Sequence, residues 1–188
     1  MKGAYIFLAD GFEDIEALGT LDILRRGGIN AATVSIQDEL TVQSAHGVTV
    51  FADLSWEEFL EEGVDADDVM VFPGGLPGAS NLAEFEPLIE LASDHFTAGG
   101  PVAAICAAPG LVVSQLPGIA GRKATCYDGF EGHLADAGAV YTGESVTVDG
   151  NLITGRGPAF AIEFGLAIVS YIQGPAAAAA VRKGLLLA

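Results

Sequence analysis

Apolar residues in this chain gather in short unbroken runs, each closed by a turn signal. Residues 4–9 run to Asp10-Gly11, residues 69–72 to Pro73-Gly74-Gly75, and residues 101–105 to Cys106, while 31–36, interrupted by Thr33 and Ser35, reads as a further strand. Unbroken rather than alternating runs predict strands covered on both faces, as in a parallel sheet. Between the first two in chain order, Ile15, Leu18, Leu21 and Leu24 recur at helical spacing. Arg25 and Arg26 suit the negative end of that helix, and Gly27-Gly28 stops it. Strand, helix and strand in succession predict a βαβ unit.

The rest of the chain continues the alternation. Residues 43–51 predict a hairpin turning at His46-Gly47, and 56–62 a short acidic helix. Helices are expected over 84–98, 107–115, 129–137 and 158–172, the last opened by Pro158. A short strand is expected over 123–127. Two or three more lie within 140–154 around an Asp149-Gly150 hairpin turn. After Gly174-Pro175 the alanine run favours a C-terminal helix or tail. There is no internal repeat and no linker, so residues 1–188 are expected to form one α/β domain.

Composition narrows the function classes. The chain has 188 residues, half of them apolar (51%), and 25 glycines placed at the breaks between runs. A net charge of −17 argues against nucleic acid or an anionic membrane surface as partner. Its diffuse acidic run, from Glu57 to Asp68, reads as a solvated surface and lacks calcium-loop spacing. Two cysteines make no disulfide framework, the first apolar run is too short for a signal peptide, and none approaches ~18 residues. A soluble cytoplasmic protein is expected.

Four segments carry candidate chemistry. In Ala104-Ile105-Cys106-Ala107-Ala108-Pro109 a buried strand meets a helix with a cysteine at the joint, the arrangement of a nucleophile elbow. A helix N-terminus there would lower the thiol pKa; the alternative is an inert core thiol. Gly74 and Gly75 leave backbone N–H groups open for an oxyanion, or form a plain turn. Glu16, in Asp10-Gly11-Phe12-Glu13-Asp14-Ile15-Glu16, either joins the acids of a solvated first turn or points inward, where burial would raise its pKa. Gly155-Arg156-Gly157-Pro158 reads as a helix entry. His46, His95 and His133 lack metal-ligand spacing, and no nucleotide-binding glycine motif occurs, so neither metal nor cofactor is expected.

Together, in order and at similar spacing across nearly the whole chain, these segments resemble the ThiJ/PfpI superfamily, in the branch that holds DJ-one. The resemblance implies a flavodoxin-like three-layer sandwich, akin to class I glutamine amidotransferases, with a mostly parallel sheet, and a homodimer. It implies Cys106 as nucleophile, Glu16 protonated beside it, and Gly74, Gly75 and the Ala107 backbone at the oxyanion position. His46 matches a polar position near the pocket, and Arg156 belongs to a family motif. The protease-like branch carries a histidine where Ala107 follows the nucleophile here, and the glutamine amidotransferases carry a His-x-Glu pair that is absent. The departure is Cys126, which stands where DJ-one has a histidine. A thiol cannot replace the imidazole base. Cys126 is then either a resolving thiol for oxidised Cys106 or a small core residue.

Two activities follow as expectations. One is a cysteine-dependent, cofactor-independent glyoxalase or deglycase acting on methylglyoxal-type aldehydes or on glycated proteins. The other is a non-catalytic oxidative-stress sensor or chaperone working through oxidation of Cys106.

Overall fold

The computed structural model describes residues 3–187; Met1, Lys2 and Ala188, the ends of the expected domain, lie outside the described residues. Strand β1 (Gly3–Leu8) leads through a π-helical turn (Ile15–Gly19) into α1 (Thr20–Arg26) and then β2 (Asn30–Ser35). A hairpin, β3 (Thr41–Gln43) and β4 (Thr49–Phe51), precedes β5 (Leu54–Ser55) and α2 (Trp56–Glu62). Next come β6 (Val69–Phe72), α3 (Gly78–Glu84), α4 (Glu86–Thr97), β7 (Val102–Ile105) and α5 (Ala108–Leu111). A 3-10 turn (Val113–Gln115), β8 (Lys123–Ala124), α6 (Glu131–Asp136), β9 (Val140–Tyr141), β10 (Val146–Asp149) and β11 (Leu152–Gly155) follow. A second 3-10 turn (Pro158–Phe160), α7 (Ala161–Gln173) and α8 (Pro175–Gly184) end the described chain.

Seven strands form the main sheet in the order β10-β11-β7-β6-β1-β2-β5. All neighbours are parallel except the β10–β11 hairpin at one edge. Because successive side chains in a strand face opposite ways, the apolar runs feed two cores. Phe7, Met70, Phe72, Val102 and Ala104 pack on one face against Phe59 of α2, Leu82 of α3, Leu88 of α4 and Leu134 of α6. Ile6, Leu8, Val71, Ala103 and Ile105 pack on the other against Ile23 of α1, Phe164 and Ile168 of α7 and Val181 of α8. This is the parallel, doubly covered sheet that the runs predict, in the three-layer α/β sandwich that the resemblance implies.

Several elements differ from the sequence reading. Ile15, assigned to the apolar face of the first helix, is 57% exposed. The π-helical turn is wider than an α-helical one; it breaks the periodicity and turns Glu16, 1% exposed, toward the core instead. Helix α3 and the two-residue β5 lie where no element was expected. The helix expected over 107–115 is split into α5 and a 3-10 turn, and the strand expected over 123–127 stops at Ala124.

Candidate functional site

Order in the sheet explains why four distant segments meet. Strands β11, β7, β6 and β1 are consecutive neighbours. Each is followed at its carboxyl end by one of the motif segments, the edge where ligands bind in open parallel sheets. Gly11 to Glu16 follow β1, Gly74 and Gly75 follow β6, Cys106 follows β7, and Arg156 follows β11.

Cys106 sits at the joint of β7 and α5 with φ 66°, one of two described non-glycine residues with positive φ. A side chain in the left-handed region is strained, and such strain persists where the surroundings fix the backbone. Here the Cys106 N–H donates to the Gly155 carbonyl at 2.9 Å, and the Cys106 carbonyl accepts from the Tyr127 N–H at 2.8 Å. Ala107 and Ala108 are small enough for the chain to turn at once into α5. The thiol is buried, 8% exposed.

Gly74 packs directly against it. A β-carbon there would lie 2.5 Å from Cys106 Cβ, 2.6 Å from Glu16 Oε2 and 3.0 Å from Sγ. Gly75 has φ +87° and its missing β-carbon would run into the backbone of Gly11, Phe12 and Glu13, so only glycine fits. The two glycines do different work. The Gly74 N–H donates to Glu16 Oε2 at 2.8 Å, so it is committed to the carboxyl and not to the oxyanion position expected for it. The N–H groups of Gly75 and Ala107 are the ones that hydrogen-bond the sulfur and favour its ionised form.

Glu16 and Cys106 govern each other. Burial pushes the Glu16 carboxyl up to about 7, against the pull of its hydrogen bonds with Cys106 and Gly74. Among the described residues, Glu16 Oε1 is a buried oxygen without a hydrogen-bond partner, which disfavours the ionised carboxyl. Burial and then the Glu16 carboxylate push the Cys106 thiol up, and the Gly75 and Ala107 N–H groups oppose them. This corrects the expectation of a thiol simply lowered by a helix N-terminus: α5 is a single turn, and burial outweighs it. The Coulomb part of the upward push exists only while Glu16 is ionised, so a protonated Glu16 leaves a thiolate opposed by burial alone.

Glu13 escaped the sequence reading, hidden among three acids that look like ordinary first-turn charges. It is 9% exposed; its Oε2 accepts the Glu16 N–H at 2.8 Å, and its own N–H donates to the Gly74 carbonyl at 2.9 Å. It locks the turn that aims Glu16.

The secondary candidates lie around this centre. Cys126 is fully buried and packs in the core cluster of Phe72 and Ala108, whereas Cys106 belongs to the other cluster. Burial, then Glu131 and Asp128, push the Cys126 thiol up to about 12. His46 is exposed at the hairpin tip, its Nδ1 2.7 Å from Asp14 Oδ2, and that hydrogen bond raises its pKa. Glu13, Asp14 and His46 have ligand atoms within 4.8 Å of one another, the described group whose spacing suits a metal ion; Asp14 is already engaged by Ser44 and His46. Arg156 bonds Asp128 Oδ1 through Nε at 3.1 Å and Nη2 at 2.7 Å, and the Gly143 carbonyl through Nη1 at 3.1 Å. No helix among the described residues is long and apolar enough to cross a membrane.

A doubly wound parallel sheet with a strained cysteine elbow and a buried carboxyl beside it defines a class of α/β protein, and comparison with known proteins gives the family. The chain belongs to the DJ-1/PfpI family, whose model matches residues 2–171. It is 35% identical over 188 residues to Protein dj-1beta of Drosophila melanogaster, covering 100% of this chain and 98% of that one. It is 32% identical over 188 residues to a Caenorhabditis elegans protein named glutathione-independent glyoxalase DJR-1.2, covering 100% and 97%. It spans about half, 42% and 47%, of the Arabidopsis thaliana DJ-1 homologs B and A, at 34% and 33% identity over 99% of this chain. Among solved structures it is similar to Drosophila melanogaster DJ-1beta, with TM-score 0.90, 33% identity, and 100% and 98% coverage. A Salmonella typhimurium DJ-1 superfamily protein gives TM-score 0.91 at 30% identity, covering 100% of both chains.

Proposed function

We propose that this protein is a cysteine-dependent, cofactor-independent glyoxalase or deglycase for methylglyoxal-type aldehydes, free or as adducts on protein side chains. The Cys106 thiolate attacks the aldehyde carbon to give a hemithioacetal, and the Gly75 and Ala107 N–H groups hold the developing oxyanion. Glu16, ionised once it has given its own proton to that oxygen, takes the proton from the carbon and returns it to the adjacent ketone carbon, while the hydroxyl proton passes to the ketone oxygen and a thioester is left. Water hydrolyses the thioester to a 2-hydroxy acid and frees the thiol. Methylglyoxal plus water thus becomes lactate; one carbon is oxidised and its neighbour reduced, with no outside oxidant. A carboxyl near 7 suits both halves of the proton transfer.

The observation that carries this reading is the meeting of thiol, carboxyl and two sulfur-facing N–H groups in one buried cluster. The name of the nematode relative agrees with it. The proposal includes a homodimer, supported by the exposed apolar residues Ile15, Val48 and Phe51. A second reading, an oxidative-stress sensor or chaperone that works by oxidation of Cys106, is favoured by position 126, where a buried thiol offers no imidazole base. Steady-state lactate formation from methylglyoxal by the reduced protein, beside Cys106→Ser, separates the two.

A further inference from the structure

Beside the elbow lies a cavity of about 260 Å³ lined by Tyr127, Asp128, Arg156, Gly157, Pro158 and Phe160, among others. Methylglyoxal, with five heavy atoms, fills only a fraction of such a volume. The cavity is tied to the nucleophile by backbone on both sides. Tyr127 on one wall donates its N–H to the Cys106 carbonyl, and Gly155, which accepts the Cys106 N–H, directly precedes Arg156 on the other. Gly157 keeps it open, since a β-carbon there would lie 3.1 Å from the Tyr127 ring.

Arg156 is the cation of this cavity. Its three described bonds, two to Asp128 and one to Gly143, use three of the five guanidinium donors. Asp128 Oδ1 takes both of its bonds, so the side chain is held at the cavity by an exposed partner (71% exposed) that a ligand can replace without leaving a buried charge. A guanidinium with donors to spare is suited to a carboxylate.

We propose that this cavity is an anion subsite: it binds the carboxylate of an aldehyde substrate while Cys106 attacks the aldehyde. The substrate class is therefore an aldehyde bearing a distal carboxylate, such as a 2-oxoaldehyde extended by a propionate arm. This deepens the proposed function and rests on its thiol chemistry, but not on turnover.

The test is protection of Cys106 from iodoacetamide by two aldehydes of equal chain length, succinic semialdehyde and butanal. Both can form a reversible hemithioacetal and only the first carries a carboxylate. The semialdehyde is expected to protect at about tenfold lower concentration, the scale of one charge-assisted hydrogen-bonded contact. Arg156→Met should abolish that advantage and Arg156→Lys retain part of it. Asp128→Asn, which removes the competing carboxylate, should enlarge it, and serves if Arg156→Met does not fold. Equal protection by the two aldehydes, or an advantage that survives Arg156→Met, overturns the subsite. Protection by neither overturns it together with the thiol chemistry of the proposed function.

Discussion

Replacing Gly74 with alanine adds one methyl group at the most crowded point of the site. The new carbon would stand 2.5 Å from Cys106 Cβ and 2.6 Å from Glu16 Oε2, where carbon atoms normally approach to about 3.5–4.0 Å. The gap must open by about 1 Å. Neither neighbour yields easily. Cys106 is fixed by its backbone bonds to Gly155 and Tyr127, and Glu16 Oε2 is held by the Gly74 N–H itself. Overpacking of this kind costs about 1–3 kcal/mol, which in a chain of this size lowers Tm by roughly 2–12 °C. Displacing reacting groups by about 1 Å costs on the order of 100-fold in rate. Gly74→Ala should therefore fold, melt several degrees lower, and alkylate Cys106 and turn over methylglyoxal about 100-fold more slowly. Gly132→Ala in α6 is the control: nothing lies within 4 Å of its missing β-carbon, so the rate should stay and stability should hold or rise. A Gly74→Ala protein with wild-type Tm and wild-type rates would refute the packing of Gly74 against the thiol and carboxyl.

Two further predictions concern protons and oxidation. The Glu16 pKa rises from 4.5 to about 7 on folding, so its neutral form stabilises the fold below pH 4.5, and that contribution is lost as pH rises through 7; the shift corresponds to about 3 kcal/mol. Urea unfolding of wild type minus Glu16→Gln should decline by about that amount between pH 4.5 and pH 8, and a difference independent of pH would contradict the assignment. Mild peroxide should add oxygen to Cys106 without the loss of two hydrogens that a Cys106–Cys126 disulfide requires, because the two side chains pack into different buried clusters and Cys126 is fully buried; intact-mass analysis with peptide mapping reads this directly.

Much of the fold is written in runs that one residue type dominates. Residues 69–72 and 102–105 are buried at every position, and an unbroken apolar run is the mark of a strand covered twice. The elbow was legible for the same reason, since such a strand ends at Cys106 among alanines. Other features depend on tertiary context that no local pattern encodes. Helix α3, Gly78-Ala79-Ser80-Asn81-Leu82-Ala83-Glu84, is built from residues of mixed helix propensity and forms where Ala79 and Leu82 bury their side chains. The inward turn of Glu16 depends on a π-helical turn, where a count at the α-helical period misplaces Ile15. The division of labour between Gly74, which holds the carboxyl, and Gly75, which faces the sulfur, is set by which carbonyls and carboxylates surround each amide. The upward push on the thiol needed burial and the Glu16 contact, neither of which a helix N-terminus reveals.

The proposed function stands most directly on whether Cys106 turns over substrate. Reduced protein incubated with methylglyoxal, without glutathione, should yield lactate in many-fold excess over the protein, and Cys106→Ser should yield none. Lactate formation undiminished in Cys106→Ser would contradict the assignment of the nucleophile, and a wild-type protein that consumes no more than one equivalent would contradict catalysis and leave oxidation of Cys106 as the function of the site.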